Sequence, residues 1–208
     1  LSHPSAMPFR LSKGILFLLS GPAGTGKTTL CDGMLASSSN LKRIVTATTR
    51  VPRDNEVHGR DYYFFSEDEF KDHIEKGHFY EYAMVHGRLY GTLKEEVSRH
   101  IDSGFDVILN IDVQGAASFR ETFRKDPKMA QFLVSIFILP PSLDELRKRL
   151  RERAQDDDDE IARRLDTARR EMQLWKEYDY VIPTGTREHD FQLIASIYRA
   201  EKHRVRKI

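Results

Sequence analysis

The sequence predicts an α/β fold built on a mostly parallel sheet. Three observations lead there. Short, continuous apolar runs recur along the chain, helical periodicities fill the stretches between them, and the first run leads straight into a glycine-rich loop and a helix candidate. Strands alternating with helices are the pattern of βαβ units, whose sheets are covered on both faces.

Residues 1–6 precede Met7 and read as an added leader, with Met7 the expected native start. The run Ile15-Leu16-Phe17-Leu18-Leu19 is the first buried strand. Similar runs lie at 107–111 and 133–139, with a shorter one at 180–182. Ser66 with Glu69, Thr92 with Glu95 and Ser142 with Glu145 match the N-terminal capping box and predict three helix starts. Leu143, Leu146 and Leu150, then Ile161, Leu165, Ala168, Met172 and Trp175, follow helical spacing, as do Phe191, Ile194, Ile197 and Tyr198. Two stretches leave the alternation. Residues 48–84 are polar, aromatic and turn-rich, with short strands expected at 62–65 and 80–84; residues 147–164 are intensely charged. The acidic run 156–160 reads as a hinge held open by its own repulsion.

Composition bounds the function. The chain has 208 residues with 33 Lys+Arg against 32 Asp+Glu, so no global charge argues for nucleic acid or a membrane surface. No apolar run approaches the ~20 residues that cross a bilayer. One cysteine, Cys31, excludes an internal disulfide and a cysteine-rich zinc module and fits a reducing compartment. The expected location is the cytoplasm.

The loop Gly21-Pro22-Ala23-Gly24-Thr25-Gly26-Lys27-Thr28 satisfies G-x-x-x-x-G-K-[ST] in its required setting, after a strand and before a helix. Its glycines let backbone N–H groups converge on a phosphate, and the helix N-terminus adds positive potential. Lys27 supplies a point charge to the β- and γ-phosphates, and the Thr28 hydroxyl can ligate Mg²⁺. Together with Thr29 this loop is an ATP-type phosphate site, which says nothing of the acceptor. Asp112, after the second run, is either a carboxylate near the magnesium or the cap of the helix that follows. Downstream, Arg50 and Arg53 flank Val51-Pro52, and two guanidinium forks close together suit a phosphate monoester. Hydroxyls of Thr46, Thr49, Tyr62 and Tyr90 can complete such a clamp.

The run Thr48-Thr49-Arg50-Val51-Pro52-Arg53, then Glu56-Val57-His58-Gly59-Arg60-Asp61-Tyr62, Tyr90-Gly91-Thr92 and Ile111-Asp112-Val113-Gln114-Gly115, resembles the guanylate kinase family, in order over about residues 15–165. The resemblance implies a P-loop NTPase three-layer fold with an inserted GMP-binding α+β subdomain and a small lid. It implies a core at 14–47, 95–146 and 170–208, an insert at 48–94 and a lid at 147–169. It further implies phosphoryl transfer from ATP to GMP with Mg²⁺. Acceptor-phosphate contacts then fall on Thr46, Arg50, Arg53, Tyr62 and Tyr90, and guanine contacts on Glu81 and Thr92, with Asp112 near the nucleoside. The chemistry of Glu81 stands on its own: a carboxylate accepts from both guanine N1–H and the 2-amino group, whereas adenine offers neither. Lid arginines correspond to Arg149, Arg153 and Arg164; with Lys27 and Arg50 these are the expected catalytic cations. Because the attacking group is a phosphate oxygen already anionic at neutral pH, no general base is expected. Three positions depart from the family pattern: Asn110 in place of a carboxylate, Ala154 in place of a lid glycine, and Pro183-Thr184-Gly185 in place of the adenine-contacting Asn-Asp. Two rivals remain: an interaction module that captures phosphoproteins, which the intact Gly26-Lys27-Thr28 opposes, and a kinase for another nucleoside monophosphate.

Overall fold

The computed structural model describes residues 14–85, 87–153 and 158–206. The elements, in order, are β1 (Leu16–Ser20), α1 (Lys27–Ser37), β2 (Leu41–Arg43), β3 (Ala47–Thr48), β4 (Tyr63–Phe64), α2 (Glu67–Glu75), β5 (Phe79–Val85), β6 (Arg88–Leu93), α3 (Lys94–Asp102), β7 (Asp106–Asn110), α4 (Val113–Arg124), α5 (Pro127–Ala130), β8 (Leu133–Leu139), α6 (Leu143–Arg153), α7 (Asp158–Glu171), a 3₁₀ turn (Met172–Glu177), β9 (Tyr180–Pro183) and α8 (Arg187–His203). Five strands pair in the order β2-β7-β1-β8-β9, every pairing parallel. A second sheet, β4-β3-β6-β5, pairs antiparallel at β3–β6 and β6–β5.

The uninterrupted apolar runs follow from burial on both faces. Ile15, Phe17 and Leu19 point into one core with Ile108, Val134, Ile136 and Ile138, closed by Leu30, Cys31 and Met34 of α1 and Ile194 of α8. Leu16 and Leu18 point the other way, against Val97 and Ile101 of α3 and Ala116, Phe119 and Phe123 of α4. Each fully buried side chain of this size contributes roughly 1.5–3 kcal/mol. The period of two thus splits one hydrophobic string between two layers.

At its opposite edge the sheet is tied by Asp106, fully buried at the start of β7. Its carboxylate accepts from Ile15 N (2.9 Å), Asn40 Nδ2 (3.1 Å), Tyr198 Oη (2.6 Å) and Lys202 Nζ (3.0 Å). Burial and this carboxylate push the Tyr198 phenol up to about 12.

Local signals met different fates. Ser66 caps α2 with Glu69 as a full capping box, and Ser142 Oγ accepts from Glu145 N (3.1 Å). Thr92 does not cap: it lies in β6 and donates to Glu81, leaving Leu93 as the N-cap of α3 with no side-chain capping bond. The periodicity through Met172 and Trp175 continues past the end of α7 only as the 3₁₀ turn, with Trp175 39% exposed. Residues 158–160 form the first turn of α7 rather than a hinge, since Glu160 pairs with Arg163 and Arg164; residues 154–157, including Ala154, lie outside the described residues.

Candidate active site

The glycine loop connects β1 to α1 at the carboxyl edge of the parallel sheet, where open α/β sheets bind ligands. Gly21 has φ 143°, and a Cβ there would stand 2.3 Å from the Ile138 carbonyl oxygen. Gly26 caps α1 in the left-handed region (φ 93°) with open space around it, so its requirement is conformational. Inside the loop Thr25 Oγ1 donates to Pro22 O (2.9 Å), while Lys27 Nζ donates to Gly21 O (2.7 Å) and Pro22 O (2.9 Å). The lysine is thus folded back onto its own loop. Asn110 Nδ2 donates to Thr28 Oγ1 at 3.3 Å, joining the end of β7 to the first turn of α1.

Two cavities flank the loop. One, of about 540 Å³, runs past Gly24, Thr25, Gly26, Thr29, Leu30 and Gly33 to Arg149 and Phe191. Its far wall includes Gly185, whose N–H donates to Asp190 (2.8 Å); Thr184 beside it is buried and accepts from Arg149 Nη1 (3.4 Å). The other cavity, about 520 Å³, is lined by Gly21, Ala23, Lys27, Asn110, Asp112, Arg164 and Glu171 among others.

On the second sheet, the paired threonines explain themselves locally. Thr48 Oγ1 donates to Leu89 O (3.0 Å) and accepts from Arg50 N (3.1 Å), and Thr49 Oγ1 accepts from Leu89 N (2.9 Å). Thr49 pins β3 to β6 by accepting from Leu89, which leaves its own O–H free to donate. Arg50 is thereby carried beside the rings of Tyr62 (5.4 Å) and Phe64 (5.8 Å), and Tyr62 meets Tyr90 edge to face at 6.1 Å. The Thr46 carbonyl accepts from Tyr63 N (2.9 Å), which ties this stretch to β4. Arg53 is exposed, and its guanidinium makes no hydrogen bond among the described residues.

Glu81 and Thr92 are direct cross-strand partners of β5 and β6, and Thr92 Oγ1 donates to Glu81 Oε1 at 2.7 Å. Glu81 is only 8% exposed, and burial, with Asp112 adding repulsion, pushes its carboxyl up to about 7 despite the Thr92 bond. Gly115 permits this closeness: a Cβ there would stand 3.3 Å from Glu81 Oε2. Asp112 is exposed and caps α4 through Gly115 N (2.8 Å), the second of the two readings of its position. It lines the Lys27 cavity and also acts electrostatically on Glu81, linking the two halves of the site.

Helices α6 and α7 share a small apolar core of Leu146, Leu150, Ile161, Leu165 and Ala168. Their arginines separate: Arg149, bonded to Glu145 (3.0 Å), lines the 540 Å³ cavity, whereas Arg164, bonded to Glu160 (3.0 Å), lines the other. The Arg153 side chain lies outside the described ones. Glu171 escaped sequence reasoning. It continues the face of Glu160, Arg164 and Thr167 at helical spacing into the Lys27 cavity, and burial raises its pKa against the pull of Lys27. That spacing was the available signal.

Comparison with known proteins agrees with this geometry. The guanylate kinase family model matches residues 13–201. A guanylate kinase of Geobacter metallireducens is 42% identical over 196 residues, covering 94% of this chain and 93% of its own length. One from Buchnera aphidicola is 47% identical over 174 residues, covering 83% and 81%. The solved guanylate kinase of Anaplasma phagocytophilum superposes with a TM-score of 0.69 at 34% identity, covering 93% of this chain and 89% of that one. Family model, sequence relatives and solved structure agree over nearly the whole length, and the chain belongs to the guanylate kinase family.

Proposed function

We propose that this kinase transfers the γ-phosphoryl group of ATP to GMP, giving ADP and GDP, in purine nucleotide metabolism of the cytoplasm. ATP would lie along the glycine loop, residues 21–29, with its base toward the cavity of Gly33, Arg149 and Phe191. GMP would lie against residues 48–94, with its phosphate among Thr46, Arg50, Arg53, Tyr62 and Tyr90 and its base at Glu81 and Thr92. Residues 147–169 would act as the lid.

Mg²⁺ takes few protein ligands and keeps several waters beside phosphate oxygens. The donor set fits that habit: Thr28 offers one hydroxyl, with the Asn110 amide 3.3 Å away, and the described residues contain no cluster of three His, Cys, Asp or Glu that would make a dedicated cage. Thr28 would hold the ion, which when bound offsets charge on the β- and γ-phosphates.

The attacking phosphate oxygen carries no proton that must be removed at neutral pH, so the chain's work is positioning and charge neutralisation. On the donor side Lys27 leaves the Gly21 and Pro22 carbonyls for phosphate oxygens, and Arg149, Arg153 and Arg164 close over the transferring group. On the acceptor side Arg50 and Arg53 offset the second anion. Without cations on both sides two polyanions would repel each other out of line.

The observation that carries the reading is the buried Glu81–Thr92 pair beside Asp112, which itself lines the Lys27 cavity. A carboxylate desolvated there matches the two donors of guanine. Side-by-side turnover of GMP, AMP, UMP and dTMP with ATP tests it. GMP should exceed the others by at least about a hundredfold in kcat/KM, the scale on which stranding a buried polar group rejects a ligand; equal rates would overturn the assignment.

A further inference from the structure

Glu56 has no part in the transfer just described, yet it is the carboxylate at the centre of the acceptor-side cations. Its Oε1 accepts from Arg50 Nη2 at 2.8 Å and its Oε2 from the Arg53 backbone N–H at 2.7 Å. The turn that carries it is closed on itself. Glu56 N donates back to Arg53 O (3.1 Å), and Asn55 takes a positive φ of 73° to make the reversal. Arg50 is caged from its other sides: Nη1 donates to Val51 O (2.9 Å), and the Tyr62 and Phe64 rings lie alongside the guanidinium. The two side chains are only 18% and 21% exposed, although the neighbouring loop is open to solvent.

We infer that Glu56 is a positioning residue that holds the Arg50 guanidinium in the orientation required to grip the acceptor phosphate. The inference rests on the proposed GMP site and deepens it. Arginine is rich in rotamers, and a fork aimed by other groups loses less freedom when an anion arrives. Two of its five N–H donors are held by Glu56 and Val51, and Tyr90 stands within the fork's reach, so the guanidinium is fixed while donors remain for an anion. The same contacts lower the Glu56 pKa, led by Arg50, so the carboxylate is ionised at neutral pH. A competing possibility is that Glu56 merely occupies the place of the phosphate and leaves when GMP binds. The reciprocal bonds to Arg53 oppose that, because the carboxylate is fixed by its own turn as well as by Arg50.

The test is Glu56→Gln, which keeps size and one acceptor but removes the charge, measured by steady-state kinetics alone and in an Arg50→Lys background. The expected result is a KM for GMP raised about tenfold, with kcat and the KM for ATP unchanged and Tm within about 2 °C of wild type. In the Arg50→Lys background the same substitution should add less than about twofold, because the partner it aims is already gone. An unchanged or lowered KM for GMP in Glu56→Gln would overturn the inference, the lowered value indicating a placeholder. Equal losses in both backgrounds, or a joint fall in kcat, ATP affinity and Tm, would overturn it too. Wild-type protein that phosphorylates no GMP would instead sink the proposed function, so the two failures are distinct.

Discussion

Replacing Glu81 with Gln isolates an ionisation that burial shifts strongly. Burial lifts this carboxyl from its ordinary 4.5 to about 7. Between those values the folded chain binds a proton that the unfolded chain has lost, so stability falls as pH rises through that window and is flat above it. At about 1.4 kcal/mol per pH unit, the full cost above pH 7 is about 3 kcal/mol. Glutamine does not titrate. The variant should therefore gain on wild type by about 3 kcal/mol between pH 4.5 and 7, which for a chain of this size is roughly 6–12 °C in the difference of Tm values. Function should move oppositely. Guanine needs the ionised form, so wild-type kcat/KM for GMP should rise about tenfold between pH 6 and 8 from this group. The acceptor phosphate itself titrates near ~6, and Glu81→Gln retains that contribution while losing the other, so the ratio of the two profiles reports Glu81 alone. A glutamine also presents an N–H₂ to a donor on the base, and KM for GMP should rise by at least about a hundredfold. Differential scanning calorimetry from pH 4.5 to 8 and initial rates over pH 6 to 8 suffice. A pH-independent Tm difference, or a GMP KM within about threefold of wild type, would refute the reasoning.

Other consequences are direct. Arg50→Ala should raise KM for GMP about a hundredfold, the loss of charge-assisted bonds to a phosphate, while ATP affinity by titration calorimetry stays put; wild-type GMP kinetics would remove Arg50 from the clamp. Asp106→Ala strands the Lys202 ammonium, the Tyr198 hydroxyl and the Ile15 N–H at the far edge of the sheet, and should cost about 3–5 kcal/mol in denaturant unfolding with KM values unchanged; a loss under about 1 kcal/mol would show that the network is not needed there. Gly21→Ala forces a Cβ to within 2.3 Å of the Ile138 carbonyl and should lower Tm and ATP affinity together; wild-type values for both would contradict the close approach.

The parallel sheet was legible because its strands are buried on both faces and read as unbroken apolar runs. The glycine loop was legible because phosphate binding fixes residue types at fixed spacing. Elsewhere one local pattern served two purposes. Thr92 with Glu95 has the spacing of a capping box, yet the hydroxyl is taken by Glu81 across the β5–β6 ladder, a partner no local window contains. Glu81 itself looks like any strand glutamate, and only the resemblance singled it out, since its burial depends on α4 and Gly115 arriving from 34 residues downstream. Thr48 and Thr49 were readable as a motif but not as pins to Leu89. Arg149 and Arg164 were expected together as lid cations, and tertiary packing of α6 on α7 sends them to different cavities.

The most direct measurement is a crystal structure with a bisubstrate ligand in which adenosine and guanosine are joined by a polyphosphate bridge. The account predicts guanine on the Glu81 carboxylate, adenine in the cavity of Gly33 and Phe191, and the bridge over Lys27 with Arg50 at its guanosine end. Guanosine bound anywhere other than between β5–β6 and Asp112 would contradict it.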